Sequence, residues 1–209
     1  MAHEINNPLS GMLQSADWRN LVHMKRCKWV TDDPIYIKYH DEQWGVPVHD
    51  DKKLFEFIIL EGAQAGLSWL TILKRRSGYK KAFAKFDVEK VAGFSPEQIE
   101  KCLLDPGIIR NKLKINAAVT NAQAFIKIQE EFGSFNEYSW QFVNGSPIIN
   151  QFKTQEEIPV KTKESIAFSK DLVQRGFKFV GPVIIYAHMQ AVGMVNDHLV
   201  SCFRHKDLL

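Results

Sequence analysis

The sequence predicts an all-α fold. Helix-start and helix-stop signals recur along the chain, and apolar residues lie at helical spacing between them. The sequence shows no convincing alternating strand and no internal repeat. Its 209 residues are enough for one domain with its own core, or for two small lobes.

Helix starts are marked by residues whose side chains accept hydrogen bonds from the first free N–H groups of a helix. The predicted starts are the Asp32-Asp33-Pro34 segment, Asp50, Ser68, Ser95, Asn111, Ser134, Thr162 and Pro182. The helix after Ser68 is expected to stop near Gly78, before a separate helix that carries Tyr79, Phe83 and Phe86.

The domain is expected to span residues 24–209. Residues 1–23 are interpreted as a leader or fusion remnant outside the fold, although the sequence around His3 resembles the phospho-acceptor box of sensor histidine kinases. No apolar run approaches the roughly 20 residues that span a bilayer. Three cysteines are too few for a disulfide scaffold and fit a reducing compartment. We therefore expect a cytoplasmic monomer with no membrane partner.

Positive charge is concentrated in two parts of a chain whose net charge is only +3. Residues 71–90 hold seven Lys or Arg against two acidic residues, and Arg110, Lys112 and Lys114 form a second group. Clustered cations favour a polyanion such as nucleic acid. Solvated helix faces are the alternative for either group.

Two helices separated by a tight turn form a candidate phosphate-binding hairpin near residues 104–112. The first helix ends at Asp-Pro-Gly, residues 105–107, and the second is expected over residues 111–131. Backbone N–H groups at such a turn bind anions, and Arg110 and Lys112 would add positive charge. Simple helix packing is the alternative.

The segment 61–69 reads Glu-Gly-Ala-Gln-Ala-Gly-Leu-Ser-Trp, between two apolar runs. Glu61 offers a carboxylate at the end of an apolar helix. The two glycines permit close backbone approach to a ligand. An ordinary helix–helix turn with a solvated glutamate is the alternative.

Four cysteine and histidine residues form a candidate metal set. His198 and Cys202 are four residues apart, which would place them on one face of a helix. Cys27 and His40 would complete a Cys2His2 set, which Zn²⁺ accepts with all four positions filled. Such an ion would join the two ends of the domain. Buried free cysteines and core histidines are the alternative.

Five aromatic residues accompany Glu61: Trp29, Tyr36, Tyr39, Trp44 and Trp69. Each one alone is most simply explained as a core residue. Around one acid they could instead stack a flat heterocycle, as an extruded base is held. Aromatic faces and a nearby carboxylate both favour a cationic base.

Five motifs follow one another along the chain. They are Tyr-His-Asp-x-x-Trp-Gly at 39–45, the segment 61–69, Pro-Gly-Ile-Ile-Arg at 106–110, Gly-Phe-Lys-Phe-Val-Gly at 176–181 and Asn-Asp-His-x-x-x-Cys at 196–202. Together they resemble the 3-methyladenine DNA glycosylase I family, within the helix–hairpin–helix glycosylase superfamily. The resemblance covers residues 24–202, and five motifs in order are far more specific than any one of them.

The resemblance implies an all-α helix–hairpin–helix DNA glycosylase fold and a DNA repair enzyme that flips and excises 3-methyladenine from double-stranded alkylated DNA. It implies one structural Zn²⁺, joining residues 26–45 to residues 194–204, with the ligands Cys27, His40, His198 and Cys202. It implies Glu61 as the catalytic residue and base binding by Trp29, Tyr36, Tyr39, Trp44 and Trp69. Leu67 would lie near the plug that replaces the flipped base, and the implied DNA-binding residues are Gly66, Leu67, Gly107, Arg110 and Lys112.

Departures from the wider superfamily bear on the mechanism. Ile109 stands where the hairpin usually has a second glycine. Asn111 stands where bifunctional members carry their Schiff-base lysine, so a monofunctional enzyme without strand cleavage is expected. The catalytic aspartate of the superfamily would fall near Glu130, which we interpret as solvated surface.

A non-enzymatic DNA-binding module with the same zinc site is the alternative from another functional class. It would keep the basic groups, but it has no need for Glu61 beside a ring of aromatic side chains. A histidine kinase fragment is a more distant alternative, because no glycine-rich ATP lid accompanies His3.

Overall fold

The computed structural model describes residues 24–209, so the expectations for residues 1–23, including the kinase-like motif at His3, lie outside the described part. The helices described are α1 Pro34–Glu42, α2 Asp51–Gln64, α3 Trp69–Ala82, α4 Val88–Ala92, α5 Pro96–Leu104, α6 Lys112–Phe132, α7 Phe135–Trp140, α8 Lys163–Gln174, α9 Pro182–Ala191 and α10 Phe203–Asp207. The predicted all-α class is confirmed. None of the helices in the described part is both long and apolar enough to cross a membrane.

The predicted capping residues all act as caps. In each case the side chain accepts a hydrogen bond from an N–H group two or three residues further along, at Asp33, Asp50, Ser68, Ser95, Asn111, Ser134 and Thr162. Pro182 begins α9, where its missing N–H group leaves no donor unsatisfied. Local capping chemistry therefore determines where most helices begin.

One helix boundary was predicted wrongly. Helix α3 continues through Gly78, so Tyr79 lies in α3 rather than in a new helix. Gly78 does not end the helix, because it packs against the turn after α5, where a Cβ atom would overlap the Gly107 carbonyl. The helix ends at Ala82, and three residues with positive φ, Ala84–Phe86, then turn the chain toward α4.

The core is built on α2 and α6. Residues 54–63 of α2 are all buried, although two of them are glutamates. On α6, the ring of Phe125 lies 5.2 Å from that of Phe55 and stacks on Phe135 at 4.1 Å. Because α2 is buried on every side near its end, Glu61 is held inside the protein.

Backbone hydrogen bonds join the early part of the domain to its end. The Gly45 N–H group donates to the Gln190 carbonyl at 3.0 Å, and Phe203 donates to Lys25 at 3.0 Å. Two short strands, β1 (Ile148–Ile149) and β2 (Val195–Asn196), pair in parallel nearby. These strands are not predicted from the sequence, because two residues are too few to show alternation.

Candidate active site and metal cluster

Six of the side chains singled out in the sequence line one cavity of about 180 Å³: Trp29, Tyr36, Tyr39, Trp44, Glu61 and Trp69. Helix α1 contributes Tyr39, the end of α2 contributes Glu61, and Trp69 is the first residue of α3. The fold therefore brings the segment 61–69 against the aromatic residues near the start of the domain.

The aromatic rings enclose the cavity without stacking on one another. The Trp29 ring lies 5.0 Å from Tyr36 and 5.0 Å from Trp44, at interplanar angles of 60° and 73°. Tyr39 lies 5.5 Å from Trp69 at 57°. Rings tilted in this way form the walls of a space of the kind that holds a flat, apolar-faced ligand.

Glu61 is the acidic group of this cavity. Its side chain is 4% exposed, and no group in residues 24–209 hydrogen-bonds to its carboxyl. Burial raises the pKa of Glu61 to about 8. Burial also raises the pKa of Tyr39 well above its ordinary value, and the nearby Glu61 charge adds to this effect. A buried carboxyl without a partner is costly and is typical of functional sites.

The four predicted metal ligands lie together. All four residues are buried, and their ligand atoms lie within 4.8 Å of one another. Cys202 Sγ is 3.4 Å from His40 Nε2 and 3.5 Å from His198 Nδ1, and Cys27 Sγ is 3.6 Å from His198 Nδ1. Tetrahedral bonds of protein length to sulfur and nitrogen would separate these atoms by roughly 3.6 Å. The donor set and its spacing therefore fit a single metal ion.

Hydrogen bonds on the far sides of the imidazoles fix their orientation. His198 Nε2–H donates to the Trp44 carbonyl at 3.0 Å, and His40 Nδ1–H donates to Asp41 at 2.7 Å. The remaining ring nitrogens thus present their lone pairs to the two sulfur atoms. Burial alone would raise the pKa of Asp41, but hydrogen bonds from Arg26 and His40 lower that pKa below its ordinary value. Outer partners of this kind orient metal-binding histidines.

The predicted helical turn between His198 and Cys202 is wrong. These residues lie in an irregular turn, and Cys202 is the N-cap residue of α10. The Cys202 N–H group donates to the Leu199 carbonyl, while the Asn196 side chain accepts from the His198 N–H group. These local hydrogen bonds replace the helical ones and still bring the two ligand atoms together.

The candidate metal-binding cluster and the cavity share a wall. The His40 ring lies 5.3 Å from Trp29, and the His198 ring lies 4.6 Å from Trp44, both edge to face. His40 follows Tyr39 in α1, so successive residues face the cluster and the cavity. The cluster histidines therefore pack directly against two of the cavity tryptophans.

Five further residues line the cavity: Gln64, Gln155, Ile158, Ala187 and Gln190. Gln64 lies within the segment 61–69 and could have been named from the sequence. Gln155 and Gln190 carry no motif, and only the chain path brings them here. Buried Asp197 helps to place these elements, since it accepts hydrogen bonds from Gln190 and from Asn150, which leads into the loop of Gln155.

The predicted DNA-contacting residues of the loop between α2 and α3 lie at the surface. Leu67 is 40% exposed. Gly66 has φ +77°, a conformation that favours glycine, and a Cβ atom there would meet no atom of residues 24–209 within 4 Å. This loop is therefore free to approach a large ligand.

Only some of the predicted hairpin residues are free to contact a phosphate. Arg110 and Lys112 are exposed, and neither side chain has a partner in the described part of the chain. The Gly107 N–H group, however, already donates to the Asp105 carboxylate at 2.7 Å. The Ile109 N–H group donates to the Tyr79 hydroxyl, and its side chain packs against the core, which explains the isoleucine at this position.

Comparison with known proteins gives consistent matches. Residues 29–205 match a family model described as methyladenine glycosylase. DNA-3-methyladenine glycosylase 1 of Escherichia coli (strain K12) is 51% identical over 179 residues, which cover 86% of this chain and 96% of that protein. DNA-3-methyladenine glycosylase of Haemophilus influenzae is 46% identical over 177 residues, covering 85% and 96%.

Solved structures agree with the sequence matches. A crystal structure of 3-methyladenine DNA glycosylase I superposes with a TM-score of 0.84 at 49% identity, covering 86% of this chain and 98% of that one. The Staphylococcus aureus 3-methyladenine DNA glycosylase I, described as showing the structural basis of 3-methyladenine recognition, gives a TM-score of 0.84 at 40% identity, covering 86% and 96%.

The buried Glu61 carboxyl predicts a specific pH dependence of stability. The unfolded chain loses this proton near the ordinary pKa of 4.5, whereas the folded protein keeps it up to about 8. Between these values the folded state binds more protons, so its stability falls as the pH rises. The variant Glu61→Gln stays neutral.

We therefore expect the free energy of unfolding of Glu61→Gln, minus that of the wild type, to grow by on the order of a few kcal/mol between about pH 5 and about pH 9. Urea titrations of both proteins measure this difference, in which the contributions of all other groups cancel. A difference that stays constant with pH would contradict the assignment of a neutral, buried Glu61.

Proposed function

The chain belongs to the methyladenine glycosylase family, and we propose that it excises 3-methyladenine from alkylated DNA by hydrolysing the bond between base and sugar. Relatives over most of the chain are named glycosylases, so the alternative of a non-enzymatic DNA-binding module is set aside. The observation that carries the proposal is the single unpartnered carboxyl of Glu61 inside a cavity of tryptophan and tyrosine rings.

The charge of the substrate explains why such a cavity selects it. Methylation at N3 gives adenine in DNA a positive charge, which is attracted by aromatic faces and by a carboxylate. A cationic base entering the cavity would offset the burial that now keeps Glu61 protonated, and would favour its ionised form. A neutral, undamaged adenine offers no such compensation, so it is bound more weakly.

We propose that Glu61 accepts hydrogen bonds from the flipped base and stabilises the positive charge that develops on the sugar as the N9–C1′ bond breaks. The alkylated base leaves with the bonding electrons, and water adds to C1′ and loses a proton. Because the leaving group is already cationic, no strong acid is required to protonate it. Stabilisation that is greater in the transition state than in the bound substrate accelerates this step.

The DNA would be held by the exposed elements beside the cavity. Leu67 would fill the gap left by the flipped base, and Gly66 would let the backbone approach the duplex. The N–H groups of Arg110 and Lys112 have no acceptor in the described part of the chain, and both side chains are exposed, which supports a phosphate contact there. The role of Gly107 would be to permit close packing against Gly78.

Asn111 supports a monofunctional enzyme, and Glu130 is assigned no role. The Asn111 side chain caps α6 and carries no amine that could form a Schiff base with the sugar. Glu130 is exposed on α6, so we assign it no part in the chemistry.

We also propose that the enzyme acts as a cytoplasmic monomer on double-stranded DNA, a location in keeping with its three unpaired cysteines.

We propose that the cluster of Cys27, His40, His198 and Cys202 holds one structural Zn²⁺. Two thiolates and two oriented imidazoles are a donor set that zinc accepts in a closed, four-coordinate site. The ion would supply cross-linking of the two ends of the domain and no chemistry at the base, because four protein ligands leave no position for water.

Loss of the Glu61 carboxyl should slow base release. The wild type is expected to release free 3-methyladenine from alkylated duplex DNA, and Glu61→Ala should be slower by at least about tenfold, equivalent to roughly 1.4 kcal/mol. Chromatography of the released bases measures both rates. Glu130→Ala, which removes an exposed glutamate, is the control and should match the wild type. Equal rates for Glu61→Ala and the wild type would exclude the assigned role.

Zinc should copurify with the protein when chelators are left out. Elemental analysis is expected to find about one zinc per chain in the wild type and a large loss in Cys202→Ser, whose melting temperature should fall by roughly 5 °C or more. Cys102→Ser is the control, because Cys102 is buried outside the cluster. Wild-type protein without zinc would refute the metal assignment.

A further inference from the structure

Lys114 lies beneath the loop that joins α2 and α3, although the sequence groups it with cations expected to face DNA. Its ammonium donates to the Ala63 carbonyl at 2.8 Å and to the Ala65 carbonyl at 2.6 Å. The side chain is partly buried, and burial lowers its pKa below the ordinary value. No carboxylate in residues 24–209 pairs with it. The Lys114 ammonium is therefore hydrogen-bonded to two backbone carbonyls.

The end of α2 needs a cation from elsewhere. The last carbonyls of a helix have no partner within it, and they favour positive charge. Helix α2 has no basic residue in its last turn. Directly after it, the backbone of Ala65 leaves the helical conformation (φ −42°, ψ 116°) and Gly66 has positive φ. Lys114 supplies from α6 the donor and the charge that α2 lacks.

The same residue contacts the start of α6. The Lys114 N–H group donates to the Asn111 side chain at 3.1 Å, which caps α6 directly after the hairpin turn. Lys114 therefore connects the turn proposed to bind phosphates with the loop that carries Leu67. Glu61 lies one helical turn before this loop, and Trp69 follows it as the first residue of α3.

We propose that Lys114 is a positioning residue that couples seating of the hairpin on the DNA backbone to placement of the 65–68 loop in the duplex. Through this link, Leu67 enters the base stack as the base reaches Glu61. The inference rests on the proposed function. Without the ammonium, two carbonyls lose their donor and the loop loses its anchor. The aromatic walls of the cavity have their own supports, so the binding of a free base does not need Lys114.

The test compares Lys114→Met with Lys127→Met, which removes an exposed charge from the same helix. Three quantities are measured. The first is the single-turnover rate of 3-methyladenine excision at saturating alkylated duplex, and the second is the affinity for free 3-methyladenine. The third is the change in fluorescence, on binding of the protein, of 2-aminopurine placed opposite an abasic analogue in a duplex. Lys114→Met should lower excision at least about tenfold and lose the fluorescence change, while free-base binding stays within about twofold of the wild type. Lys127→Met should match the wild type in all three, and Lys114→Arg should recover part of the loss.

A double-mutant cycle with Leu67→Ala tests whether Lys114 acts through the loop. In the Leu67→Ala background, adding Lys114→Met should lower the excision rate further by less than about twofold. Three results would overturn the proposed coupling. They are losses of excision rate that multiply in the double mutant, a Lys114→Met excision rate within about twofold of the wild type, and a loss of free-base affinity as large as the loss of excision rate.

Failure of the proposed function would look different. A wild type that releases no 3-methyladenine would overturn the function itself, whereas the 2-aminopurine signal would still report the coupling between hairpin and loop. If Lys114→Met does not fold, Lys114→Gln replaces it in every measurement, because its side chain is too short to reach both carbonyls. Wild-type behaviour of Lys114→Gln in excision and fluorescence would equally overturn the proposal.

Discussion

Two histidine rings form the wall between the four-residue cluster and the aromatic cavity. One side of each ring carries a nitrogen that faces the cluster sulfurs, and the ring contacts a cavity tryptophan edge to face, His40 against Trp29 and His198 against Trp44. His198 also donates to the Trp44 backbone. The four cluster residues come from both ends of the domain, and the residues that line the cavity likewise come from early and late parts of the chain. A closed metal site would hold them together far more firmly than these ring contacts alone.

Helix α2 carries two buried glutamates in an otherwise apolar stretch. Its residues 54–63 are buried, and such a helix would normally be apolar throughout. It nevertheless places at the cavity Glu61, whose carboxyl has no partner within residues 24–209. Glu56, the other buried acid of α2, is compensated by Arg76 and Lys53 at 2.6 and 2.8 Å. The two acids of this helix therefore differ: Glu56 is paired within the fold, whereas we propose that the carboxyl of Glu61 serves a ligand. A cation in the cavity would supply what Glu61 lacks.

Local signals in the sequence predicted the helices well, because capping is short-range chemistry. Asp50, Ser95 and Thr162 each accept the expected hydrogen bonds. The two failures have different causes, one long-range and one local. Gly78 resembles a helix end in the sequence, but it serves a close contact with Gly107, far along the chain. The turn between His198 and Cys202 follows hydrogen bonds to Leu199 and Asn196 that spacing alone does not reveal.

The candidate site was predictable only in part, for similar reasons. Aromatic residues and an acid in distinctive motifs could be named, and the metal set became definite through the family resemblance. Gln155 and Gln190 could not, because neither carries a motif and only the folded chain brings them to the cavity, Gln190 with a hydrogen bond to Asp197. Lys114 shows the limit of reading charge groups from sequence. Its group favours a polyanion or a solvated helix face, whereas its ammonium donates to the Ala63 and Ala65 carbonyls.

The dependence of the cavity on the cluster is tested most directly by binding of free 3-methyladenine, followed through tryptophan fluorescence before and after removal of the metal. Affinity is expected to fall at least about tenfold in the metal-free protein and to return when zinc is added back. Unchanged affinity in a metal-free protein that remains folded would contradict the view that the cluster organises the base cavity.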